Sequence, residues 1–144
     1  RFKCDWSSDV CSSDLARPLL AGWIMGAVVG LADTALLVIA IARSRRWPEQ
    51  LSGLRVSLPI FAIAAANGMM ISWTLIGLVL GAIWIVVPMP KFAIGVGGAI
   101  VVVLGIYAYI RGLGHRGEAQ VVVGSGALAA VAFAGVLPLL ASVR

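Results

Sequence analysis

Charge is scarce in this sequence. Asp, Glu, Lys and Arg make up 12% of its 144 residues, where a soluble domain carries about twice that share. Water is therefore not the main solvent of the folded chain. The only histidine is His115, and both cysteines, Cys4 and Cys11, precede Asp14. Neither cysteine has a histidine nearby, so the ligand count for zinc is not met. The chain has no HExxH, no CxxC, no glycine-rich phosphate loop after a strand and no nucleophile with a paired base. His115 sits in a loop beside Arg116 and reads as a solvated residue. An enzyme site needs more converging polar groups than these, so no catalysis, metal or cofactor is expected.

What the chain has in excess is apolar surface: 61% of the residues are hydrophobic and the mean hydropathy is +1.04. A formal charge of +5 could suggest a nucleic-acid partner. Such a protein needs its basic residues on one face, interleaved with polar or aromatic groups. Here they stand at the ends of apolar runs, which is the pattern of membrane topology. The expected partner is a lipid bilayer, with homo-oligomers or a partner membrane protein as further possibilities, and no nucleic acid.

The first fifteen residues are unlike the rest. RFKCDWSSDVCSSDL, Arg1 to Leu15, is polar and serine-rich, and it holds both cysteines and 3 of the 6 acids. It resembles, without a gap, the translation of a sequencing-adapter strand, which implies a non-native tail with no fixed packing. Residues 1–15 are accordingly expected to be disordered. Setting aside Arg1, Lys3, Asp5, Asp9 and Asp14 leaves 9 basic residues against 3 acids, a charge of +6. The first methionine left is Met25, inside an apolar run, so native sequence is expected to be missing before Ala16.

Four apolar runs follow, at about 19–42, 58–87, 92–110 and 121–143. Each reaches the roughly 20 residues that a bilayer core requires of a helix. The predicted fold is all-α: a polytopic integral membrane protein whose single domain, 16–144, holds four transmembrane helices as two like-oriented hairpins. Run two is too long to stand upright, so it should tilt, bend near Asn67-Gly68 or begin at the interface. Arg43, Arg45, Arg46 and Arg55 fall between runs one and two, and Arg111 and Arg116 between runs three and four. The positive-inside rule puts both of these loops in the cytoplasm and both native ends outside. An inner or plasma membrane of bacterial type is expected. Trp23 and Trp84 then fall at the outer interface and Trp47, Tyr107 and Tyr109 at the inner one. Trp73 fits neither belt and should pack between helices or face lipid.

Lipid tails are as apolar as leucine, so membrane helices associate through close backbone packing and polar contacts. Gly22, Gly26 and Gly30 recur at four-residue spacing in run one, with Asp33 and Thr34 continuing the same face. Asn67, Met70, Thr74, Gly77 and Gly81 recur at alternating spacings of three and four in run two, which places them in one seam. If stripe and seam face each other, Gly22 and Gly26 oppose Gly77 and Thr74, and Asp33 opposes Asn67. GVGG at Gly95 to Gly98 reads as close packing within a helix. Asn67, Ser72, Thr74 and Ser125 can be satisfied within or between helices.

Asp33 is the sharpest signal. It lies ten residues before Arg43, about 15 Å from the loop at 1.5 Å per residue, which is near the midplane. Intramembrane acids are candidates for function by default. One reading is a protonated acid hydrogen-bonded to a neighbouring helix, in a structural or accessory protein whose helices pack with themselves or with a partner's. The other is proton or ion handling in a small transporter. Four helices with an acid in the first is similar to the small multidrug resistance family, and the likeness implies a small proton- or ion-coupled transporter that uses Asp33. That family carries a glutamate, and no motif beyond the one acid is shared.

Overall fold

Prolines and basic residues mark where the helices begin and end. In the computed structural model, which describes residues 10–43, 57–112 and 116–142, helix α1 spans Val10–Arg43. Arg43 closes its last turn, where a cation complements the carbonyl end of the helix dipole. The helix starts within the adapter-like stretch, not at Leu19: residues 10–15 continue it. Adding residues to an existing helix is far cheaper than starting one, so residues 10–15 can extend the apolar helix behind them. Leu15 is exposed. Pro18 lies inside α1, and its missing N–H leaves the turn before it one hydrogen bond short.

Helix α2 spans Leu58–Val86 with proline in its first turn, where the lost N–H would have had no partner. It runs unbroken through Asn67-Gly68. Its end is set by Pro88, which forces the preceding residue out of helical geometry. Val87 is extended, at φ −99° and ψ 129°, while its N–H still donates to the Ile83 carbonyl. Helix α3, Met89–Gly112, begins at once, and the Phe92 N–H donates to the Pro88 carbonyl at 3.0 Å. Near its far end the Arg111 guanidinium lies 6.0 Å from the centre of the Tyr107 ring, one turn back.

The fourth run is not one regular helix. Helix α4, Arg116–Ala130, leads into a π-helical turn at Val131–Val136, and α5, Leu137–Ser142, completes the span. The cause is Pro138: its ring clashes with the carbonyl four residues back and supplies no N–H. Widening the turn ahead of it relieves the clash, and the Leu137 N–H now donates five residues back, to the Ala132 carbonyl. The widened turn buries Ala132 and Phe133.

Among the described residues, four stretches are long and apolar enough to cross a membrane: Leu15–Arg43, Pro59–Val86, Met89–Arg111 and Ala119–Ser142. The fold is an all-α, four-span membrane bundle. Helix α1 is its centre, lying along α2 on one side and against α4 and α5 on the other, while α3 packs on α4 and the π turn. Helices α2 and α3 scarcely pack against each other, although only Val87 and Pro88 separate them. The core is small: Val29, Phe133 and Leu137 are fully buried, among Ala21, Phe92, Ala129 and Ala132. Trp73 belongs between helices, its ring stacked on Phe133 at 5.8 Å. Many large side chains face outward, among them Ile94, Val101 and Ile110, as a lipid-facing surface requires. Expectations for residues 1–9 and for Arg45, Arg46, Trp47, Arg55 and Arg144 fall outside the described residues.

Candidate functional site

The glycines of α1 and α2 bring two backbones into contact. A Cβ on Gly22 would collide with the Gly77 carbonyl, and one on Gly77 with the Gly22 carbonyl. At Gly26 it would lie 2.6 Å from the Thr74 Cα, at Gly30 2.8 Å from the Met70 Cα, and at Gly81 2.5 Å from the Pro18 oxygen. Each four-residue step up α1 is matched by a step of three or four residues down α2, so the helices are antiparallel. Only glycine permits this approach, because any Cβ would occupy the space of the facing backbone. Between α3 and α4 the device differs: the Leu104 side chain fills the space above Gly126. In the GVGG stretch, by contrast, Gly95 and Gly98 have nothing within 4 Å and Gly97 touches only the Ala134 Cβ. Those glycines do not form the close contact expected of them, since α3 meets its neighbours on one side only.

Among the described residues, Asp33 and Thr34 are the buried polar ones, at 4% and 8% exposure. The Thr34 hydroxyl donates to the Gly30 carbonyl at 2.8 Å, which satisfies it within its own helix. Asp33 reaches across to another helix. Ser125 Oγ, on α4, donates to Asp33 Oδ2 at 2.8 Å. The second carboxyl oxygen, Oδ1, is buried and has no hydrogen-bond partner among the described residues. Around the pair, Leu36 comes within 3.9 Å of a Cβ built on Gly124.

The expected Asp33–Asn67 pair does not form. Gly22, Gly26 and Gly30 extend by the same step to Thr34, while Asp33 stands one residue, about 100°, to the side. That rotation turns its carboxyl from α2 toward α4. On α2 the seam of Gly81, Gly77, Thr74 and Met70 faces α1, but at the next turn Ala66 is half-buried and Asn67 exposed. Asn67 is thus separate from the polar site, and Thr74 joins the glycine contact through its backbone. Ser125 takes the partner's role. It lies nine residues beyond Arg116, about 13.5 Å deep by helical rise, close to the roughly 15 Å that separates Asp33 from Arg43. Depth alone could therefore nominate it, and the rotation of Asp33 off the glycine stripe decides between it and Asn67.

What remains is a carboxyl with one oxygen tied by a hydroxyl and one bare, held between α1 and α4 within stretches long and apolar enough to cross a membrane. Among the described residues no group of three or more His, Cys, Asp or Glu comes together. Compared with known proteins, the chain matches no family model, no curated protein and no solved structure.

Proposed function

We propose that this is a small structural or accessory membrane protein, whose work is to pack transmembrane helices with one another and with those of a partner. The observation that carries this reading is the Ser125–Asp33 hydrogen bond. It commits the one acid of α1's apolar stretch to joining α1 with α4, as the glycine contact joins α1 with α2. In this reading the basic ends at Arg43 and Arg111 face the cytoplasm, the bundle sits in an inner or plasma membrane, and the chain catalyses no reaction.

One observation favours a second reading, a small proton- or ion-coupled transporter. Asp33 Oδ1 is buried without a partner, and an unsatisfied buried polar atom costs about 1–3 kcal/mol. A proton or small cation held there would offset that cost. Asp33→Asn separates the two readings, since the amide keeps an oxygen for Ser125 but carries neither titration nor charge. The structural reading expects intact folding and an unchanged phenotype in cells. Loss of a pH-dependent transport signal in vesicles, with folding intact, would replace it with the transporter.

A further inference from the structure

The outer side of α2 carries a polar group that lipid cannot satisfy. Asn67 is exposed, and no hydrogen bond is formed by it among the described residues. It lies nine residues into a helix of 29. Such a helix is about 43 Å long at 1.5 Å per residue, so centring it on a hydrocarbon layer about 30 Å thick places Asn67 about 7 Å inside that layer. Lipid tails offer neither donor nor acceptor, and an amide left unsatisfied there costs several kcal/mol. A carbonyl of α2 could accept from the Asn67 NH2. The helix's own N–H groups are all engaged at this position, however, so the amide oxygen finds no donor within α2.

Asn67 belongs to a second seam. Ile60, Ala64, Asn67 and Ile71 follow one another at spacings of four, three and four, and all are exposed. That is the spacing by which one helix meets another in a coiled-coil contact, where a single asparagine fixes register. Beside it, Gly68 has nothing within 4 Å of its Cβ position, so a second backbone can come close. Helix α3 exposes an apolar face too, around Gly98, Val102 and Gly105. Its polar group, the Tyr109 hydroxyl, lies near the end of α3, where headgroups and water can satisfy it, and lipid covers the apolar remainder adequately.

We propose that this seam is a dimer interface, with Asn67 hydrogen-bonded to the same residue of a second copy. Two copies inserted the same way are related by an axis along the membrane normal, which puts equal residues at equal depth. An amide both donates and accepts, so Asn67 is its own complement across that axis. The inference deepens the helix-packing reading by naming the partner, and it rests on that reading. Its test counts copies, whereas the test of Asp33→Asn reads folding and transport, so the two can fail separately.

The experiment uses the full chain with Cys4→Ser and Cys11→Ser, reconstituted in vesicles of a neutral phospholipid. Dimerisation is followed by energy transfer between labelled copies across a dilution series. Asn67→Leu should raise the dimer dissociation constant about tenfold or more and leave helicity unchanged, and Asn67→Gln, which retains the amide, should lie nearer the native value. A cysteine at Ile71 should cross-link two copies on oxidation, and one at Val102 should not. Native-like dimerisation of Asn67→Leu, cross-linking at Val102 in place of Ile71, or a monomeric parent chain at every lipid ratio would overturn the proposal.

Discussion

Replacing Gly22 with alanine should force α1 and α2 apart. The new methyl would meet the Gly77 carbonyl, which belongs to a helix backbone and cannot rotate aside. At the neighbouring Gly81 a Cβ would stand 2.5 Å from the Pro18 oxygen, against an ordinary contact of about 3.5 Å. The backbones must therefore part by about 1 Å at such a position, which forfeits a quarter to a half of the attraction at each contact beside it. If the affected set is the size that one buried leucine makes, about 40 atom pairs at about 0.1–0.2 kcal/mol each, the loss is about 1–4 kcal/mol. Alanine also gains about 0.5–1 kcal/mol over glycine in a helix interior. A control removes that term: Gly105, in α3, is exposed with nothing within 4 Å. Reversible unfolding in bicelles should then find Gly22→Ala less stable than Gly105→Ala by about 2 kcal/mol. Equal stability of the two variants would refute backbone contact as the bond between α1 and α2.

Phe133 is fully buried and stacked on Trp73, so Phe133→Ala should cost about 3–5 kcal/mol. Val131→Ala, at a side chain 65% exposed, should cost under about 0.5 kcal/mol in the same unfolding assay. For topology, a cysteine at Ser44 in a chain lacking Cys4 and Cys11 should react only with reagent admitted to the cytoplasmic side. Labelling from outside alone would reverse the orientation.

The spans were legible because bilayer thickness and proline act locally. Pro88 and Pro90 place the α2–α3 turn within a few residues of where the apolar runs break. The π turn was less so: Pro138 sits in plain view in the fourth run, but whether a helix meets a proline by kinking, ending or widening depends on what its neighbours bury. Here that is Phe133 against Trp73. The glycine register, Gly22 to Gly77 and Gly26 to Thr74, follows from antiparallel packing and the repeat alone. The acid's partner does not. Asn67 and Ser125 offer similar depth and chemistry, and only a rotation of one residue on α1 separates them, finer than any reading of run lengths can resolve. The GVGG stretch erred the other way, because a glycine step is necessary for close contact but requires a neighbour on that side, and α3 lacks one there.

Whether Asp33 serves to hold α1 against α4 is tested most directly by a double-mutant cycle. Asp33→Ala, Ser125→Ala and the combined variant, unfolded reversibly in bicelles, give the coupling energy of the pair. A structural tie predicts coupling of about 0.6 kcal/mol, the average for hydrogen bonds between membrane helices, and at most about 1.7 kcal/mol. Strictly additive losses would show that Ser125 does not hold the acid, and would contradict the account at its base.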